Sequence, residues 1–166
     1  IDNSTPAVIN CVFNGCTGDY GGAVFVYSTN GTYLPAFGDC LFSENEATET
    51  FGGGAIHLLR TSLSGPSNAI LLYRCIFSGN LAVTELGDDL YVRPGSAAAS
   101  TGFEIGSCTF IAEGSEDSTS IYGVTNGNTS MYGTSLCGPG THISGTWQDL
   151  GYNCLASSCA DGDKDL

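Results

Sequence analysis

A Cys-x-Phe step recurs at Cys11-Val12-Phe13, Cys40-Leu41-Phe42, Cys75-Ile76-Phe77 and Cys108-Thr109-Phe110, and no other feature of the chain restricts its fold as tightly. Leu136-Cys137-Gly138 is a degenerate fifth copy that keeps the cysteine and loses the phenylalanine. Successive cysteines are separated by 29, 35, 33 and 29 residues. A second mark follows each step: Gly21-Gly22-Ala23-Val24, Gly53-Gly54-Ala55-Ile56, Gly87-Asp88-Asp89-Leu90 and, with the glycines gone, Ser120-Ile121-Tyr122. Self-similarity of this length with drifting linkers marks a stacked solenoid, in which each repeat buries its apolar face against its neighbours.

Each repeat is expected to hold two or three strands of about 4 to 8 residues joined by turns. The clearest are residues 6–13, 23–27, 55–60, 69–77 and 103–110. With 24 glycines and many β-branched residues, few windows favour helix. Hairpins use similar strands, but recurrence at fixed positions places equivalent residues one above another, as in a parallel β-helix with coils roughly 4.8 Å apart. The expected fold is therefore all-β, a parallel β-helix of about five coils over residues 1–150. Residues 151–166 read as a loop-like tail continuing into further chain.

Cysteine and phenylalanine two apart face the same way, so Cys11, Phe13, Cys40, Phe42, Cys75, Phe77, Cys108, Phe110 and Cys137 form the expected repeat core. Asn45 and Asn80, three residues after phenylalanine, suit bends whose backbone the amide satisfies; they also tolerate left-handed dihedrals and stack on each other. The glycines before Ala23 and Ala55 suit a tight corner. Equivalent cysteines on parallel strands project side by side, which strains a disulfide dihedral. Buried thiols acting as small hydrophobes are expected, with a bonded ladder as the alternative. Off this column, Cys154 and Cys159 frame a short loop and form the expected disulfide. No Cys-x-x-Cys pair accompanies His57 or His142, which argues against zinc.

Four Lys plus Arg against 17 Asp plus Glu leave a formal charge of −13, which disfavours nucleic acid and anionic membranes as partners. Eight cysteines beside one methionine suit an oxidising compartment. Asn3, Asn30 and Asn128 each head a glycosylation triplet. The longest apolar run, residues 69–73, is far short of a membrane span, so direct membrane insertion is not expected. The chain starts at Ile1 rather than methionine, which suggests a processed or excised part of something longer. These features point to a secreted or cell-surface location.

Phe42-Ser43-Glu44-Asn45 and Phe77-Ser78-Gly79-Asn80 are FxxN motifs, and they alternate with Gly-Ala-Val at 22–24 and Gly-Ala-Ile at 54–56. This pattern resembles the repeats of polymorphic outer-membrane proteins, whose passenger regions look like right-handed parallel β-helices. The stretch Asp149-Leu150-Gly151-Tyr152-Asn153-Cys154, followed by Gly162-Asp163, is similar to the end of pectin-lyase-like β-helix regions in large secreted or surface-anchored proteins. Together the resemblances span roughly residues 6–165, although the fourth and fifth copies lack both motifs. They imply a right-handed solenoid with a structural or adhesive role.

Candidate chemistry is weighed against that role. Asp88-Asp89 after Gly87 resembles the carboxylate pair of polygalacturonases, but their Asn-Thr-Asp, Gly-His-Gly and Arg-Ile-Lys companions are absent, and neighbouring strand residues face opposite ways. A lyase needs calcium and an Arg or Lys base. Arg60 beside His57 on an exposed face is the candidate, ahead of Arg74, Arg93 and the distant Lys164. Asp161, Asp163 and Asp165 are half of a calcium-loop pattern without the distal glutamate, so no cofactor is expected beyond calcium at that tail. One Thr48/Thr50 pair does not make an ice-binding column. The reading is an extracellular structural or adhesive segment of a larger surface or matrix protein; the alternative is a polysaccharide lyase or hydrolase acting on acidic glycans. Expected partners are domains or subunits stacking on open β-helix ends, and glycans.

Overall fold

The computed structural model describes residues 1–2, 4–28, 34–60, 68–84, 86–94, 101–112 and 119–156, with backbone alone at 28, 60, 68–69, 94, 101 and 124–128. Among these the chain is all β, without a helix. The first repeat supplies β1 (Ala7–Ile9), β2 (Val12–Asn14), β3 (Thr17–Gly18) and β4 (Val24–Ser28). The second gives β5 (Ala36–Gly38), β6 (Leu41–Ser43), β7 (Glu46–Ala47) and β8 (Ile56–Arg60). The third gives β9 (Asn68–Tyr73), β10 (Ile76–Ser78), β11 (Leu81–Ala82) and β12 (Leu86–Pro94). After them come β13 (Thr101–Gly106), β14 (Thr109–Ile111), β15 (Thr119–Tyr132), β16 (Ser135–Cys137), β17 (Thr141–Asp149) and β18 (Cys154–Ala156).

The strand pairs are parallel, and the strands gather into sheets of nine, six and three. The six-stranded sheet, β18-β16-β14-β10-β6-β2, fixes the register. It aligns Phe13, Phe42, Phe77, Phe110, Leu136 and Leu155. In-register parallel strands bring identical side chains to one interstrand distance. The rings accordingly stack at 4.7, 4.9 and 4.5 Å with interplanar angles of 4°, 3° and 2°. Phe42, Phe77 and Phe110 are fully buried, in one core with Ile56, Leu58, Leu90 and Val92 from one half of the nine-stranded sheet and Phe37, Leu72 and Ile105 from the other. Each such side chain contributes about 1.5–3 kcal/mol by leaving water.

The expected long strands 6–13, 69–77 and 103–110 are each two strands. Between them one residue turns left-handed immediately before the column residue: Asn10, Asp39, Arg74, Ser107, Gly133 and Tyr152, with φ of 55°, 54°, 51°, 53°, 56° and 59°. A single left-handed residue bends the chain from the nine-stranded sheet into the six-stranded one, at a cost of about 1–2 kcal/mol for residues with a Cβ. A second corner uses Gly15, Glu44 and Gly79. The left-handed dihedral expected of Asn45 and Asn80 therefore belongs to the residue before each. At the third corner Gly21 and Gly53 have φ of 59° and 90°, while a Cβ on Gly22 would stand 2.3 Å from the carbonyl oxygen of Gly54.

Cys40, Cys75 and Cys108 are buried free thiols, and Cys11 is a half-buried one. The first three donate back to the carbonyls of Gly38, Tyr73 and Gly106 at 3.2, 3.5 and 3.4 Å. The fifth copy is out of register with its expectation. Thr134, not Cys137, continues the column: its Oγ1 accepts from the Cys108 amide at 3.4 Å and donates to the Tyr132 carbonyl at 3.1 Å. Cys137 lies beside Ile111 and is disulfide-bonded. Offsets along the column contract from 33 residues to 26 and then 19 as the chain proceeds. Two corrections concern the tail. Cys154 is a free thiol, so the bridge to Cys159 is not formed, and residues 154–156 pair with β16 instead of looping.

Candidate functional site

Asp88 and Asp89 occupy the places held one repeat earlier by Gly54 and Ala55, because Leu90 aligns with Ile56. Their surroundings come from the asparagine ladder. Asn45 Nδ2 donates to the Phe13 carbonyl at 3.0 Å and to Asn80 Oδ1 at 2.9 Å; Asn80 Nδ2 donates to the Phe42 carbonyl at 3.0 Å. Cys16 holds the bottom of this column, its amide donating to Asn45 Oδ1 at 3.0 Å. At the top, Asn80 Nδ2 donates to Asp89 Oδ1 at 2.9 Å, and the Ala82 amide to Asp88 Oδ1 at 3.0 Å. The two carboxylates thus replace the side chain and carbonyl that another rung would offer. Both are buried, and burial pushes the Asp89 carboxyl up to about 7; the neighbouring Asp88 charge adds to this, while hydrogen bonds from Asn80 and Ser120 oppose it.

The outward face of β4, β8, β12 and β15 carries a second aromatic column. Register aligns Phe25, His57, Tyr91 and Tyr122, each following the inward residue Val24, Ile56, Leu90 or Ile121. Tyr20 stands edge-on to His57 with centroids 5.6 Å apart, Tyr91 lies 4.9 Å from it, and Phe51 stacks on Tyr20. The Arg93 guanidinium sits 3.7 Å over the Phe51 ring. Within this cluster His57 is 0% exposed. Its Nδ1–H donates to the Gly52 carbonyl at 3.0 Å, and its Nε2 has no hydrogen-bond partner among the described residues. Burial first, with the Arg93 charge assisting, lowers its pKa to about 4 against the Gly52 hydrogen bond. The exposed Arg60/His57 face expected from sequence is corrected: His57 is sealed, and the Arg60 side chain lies outside the described residues.

A different face presents aromatics openly. Gly38, Tyr73, Gly106 and Tyr132 alternate across β5, β9, β13 and β15. A Cβ on Gly106 would stand 2.5 Å from Tyr132 Cζ, so the Tyr132 ring rests where a side chain would be. Register places Tyr73 on the far side of Gly106 from Tyr132. Arg74 lies 4.6 Å from the Tyr73 ring centroid, and its Nε and Nη2 donate to both carboxylate oxygens of Asp39 at 2.6 and 2.5 Å. That bidentate bond holds the Asp39 carboxyl below its usual range. Tyr73 and Tyr132 stay 42% and 38% exposed, with Leu71 at 45% and Glu104 exposed beside them.

The remaining expected residues do not join these groups. Asn128 lies on β15 with its side chain outside the described residues, and Asn3, Asn30, Cys159, Asp161, Asp163 and Asp165 lie outside them altogether. Among the described residues no group of three or more His, Cys, Asp or Glu side chains is placed to hold a metal ion. The His57 group was recoverable from sequence by aligning the slot after the inward residue of each third corner, and Tyr73 as the slot two before a column cysteine; Tyr132 was not, because it precedes Thr134 rather than a cysteine. Compared with family models, with curated proteins and with solved structures, the chain matches none.

Proposed function

We propose that the parallel sheets wrap into a right-handed parallel β-helix of about five coils, serving as an extracellular structural or adhesive scaffold that presents residues on its outer faces. The resemblance of the FxxN and Gly-Ala-[Ile/Val] marks to polymorphic outer-membrane and pectin-lyase-like repeats belongs to this reading. One observation carries it. The carboxylate pair that a glycan hydrolase would need is consumed in ending the asparagine ladder, with Asp88 on the Ala82 amide and Asp89 on Asn80. Arg74 is engaged by Asp39, and Arg93 lies over Phe51, so the described cations face other partners. An acid and base that catalyse glycan cleavage must instead flank one scissile bond.

The test is turnover of uronate polymers, followed as new unsaturated or reducing ends, with and without calcium. No turnover is expected, and Asp88→Asn should lower the denaturation midpoint. Calcium-dependent cleavage abolished by Asp88→Asn or Arg60→Ala in a folded variant would replace this reading with the lyase or hydrolase one.

A further inference from the structure

We infer that Tyr73, Tyr132 and Arg74 form a binding subsite for a neutral oligosaccharide; this deepens the adhesive reading and rests on it. Tyrosine combines an apolar ring face with a hydroxyl, which suits a ligand having a C–H face and a hydroxyl rim. Here the rings are fixed in advance. Gly106 gives Tyr132 its seat, since any Cβ there would meet the ring at 2.5 Å. Across that glycine the Tyr73 ring is backed by the Arg74 guanidinium, 4.6 Å from its centroid. Arg74 is locked by two bonds to Asp39 while remaining 55% exposed. Groups ordered before binding lose little entropy on contact, which favours the complex.

Charge selects the ligand class. The Arg74 charge is already matched by Asp39, Glu104 is exposed alongside, and the chain carries −13. An acidic glycan would gain no cation here and would meet a repelling field. A neutral pyranose chain gains the ring faces of Tyr73 and Tyr132, donors from the guanidinium and acceptors from Asp39 and Glu104. The other aromatic group does not compete, because His57 is fully buried among its rings.

The experiment titrates the intact chain with neutral β-1,4-glucan, β-1,3-glucan and mannan hexamers and with an oligogalacturonate of equal length, followed by two-dimensional NMR. The expected result is saturable binding of a neutral hexamer with shifts centred on Tyr73, Arg74 and Tyr132 and none at Phe25 or His57. Tyr132→Ala should weaken it by about tenfold or more at an unchanged denaturation midpoint. Tyr132→Phe should retain most of the affinity by keeping the ring. Absence of binding by every neutral hexamer, indifference to Tyr132→Ala, or tighter binding of the oligogalacturonate would each overturn the inference. None of these results bears on the scaffold reading, which stands or falls on turnover of uronate polymers.

Discussion

Two outer faces of this molecule carry aromatic side chains, and they are built in opposite ways. Around His57, rings from Tyr20 and Phe51 outside the strands close over the Phe25–His57–Tyr91–Tyr122 column, and the histidine disappears from solvent. Around Tyr132 the glycine at 106 lets a ring settle onto the sheet, and both tyrosines stay open. The difference teaches that aromatic content on a sheet face does not by itself mark a binding surface. A covering residue turns such a column into a small second core; a neighbouring glycine leaves the rings flat on the sheet and exposed.

The largest test of that contrast is stability. Tyr91 is 8% exposed between His57 and Tyr122, so Tyr91→Ala should cost about 3–5 kcal/mol in denaturant unfolding. The exposed Tyr132→Ala should stay within about 0.5 kcal/mol. Equal costs at the two sites would erase the distinction between sealed and open faces.

A smaller effect is hidden in the pH dependence of the two sealed ionisable groups. His57 has a folded pKa of about 4, below its ordinary 6.5, so the unfolded chain binds the proton more tightly. Its contribution is present above pH 6.5 and lost as pH falls towards 4. Asp89 has a folded pKa of about 7, above its ordinary 3.8, so the folded chain binds the proton more tightly. Its contribution is present below pH 3.8 and lost as pH rises through 7. Each is worth about 3–4 kcal/mol at most, at 1.36 kcal/mol per pKa unit, and the two slopes oppose each other between pH 4 and 6.5. Chemical unfolding of each variant is read against the native chain, whose own profile also carries the lowered pKa values of His142 and Asp39. Relative to it, Asp89→Asn should make stability rise more steeply with pH, and His57→Gln should make it rise less or fall. Parallel profiles for the two variants would refute the assignment.

Much of the scaffold was legible because identical side chains must stack when parallel strands pair in register. Cys40, Cys75, Phe42, Phe77, Asn45, Asn80 and the Gly-Gly-Ala slot recur visibly, and each takes an inward or corner position. The corners before the cysteines were not legible, since Arg74 and Ser107 adopt left-handed dihedrals without the usual glycine, so 69–77 and 103–110 read as unbroken strands. The fifth register was missed for a chemical reason. Thr134 supplies the hydroxyl acceptor and donor that a thiol supplies elsewhere, and matching by residue type follows Cys137 instead. Of the candidate sites, Asp88 and Asp89 were correctly placed in the Gly-Ala slot, but their hydrogen bonds depend on Asn80 and Ala82, which sequence order does not bring near them. The exposed tyrosine face was missed because Tyr73 and Tyr132 lie 59 positions apart and are brought to one face only by the strand of Gly106 between them.

The central claim is that successive repeats lie directly above one another in parallel register, so that residues chosen by the stack leave none of the expected catalytic pair free. Interstrand NOEs on the isotopically labelled chain test it most directly. The account predicts ring-to-ring contacts linking Phe13 to Phe42, Phe42 to Phe77 and Phe77 to Phe110, with Leu41, Ile76 and Thr109 amides showing parallel-strand contacts to adjacent repeats. Antiparallel cross-strand contacts within single repeats, with the four phenylalanines remote from one another, would contradict it.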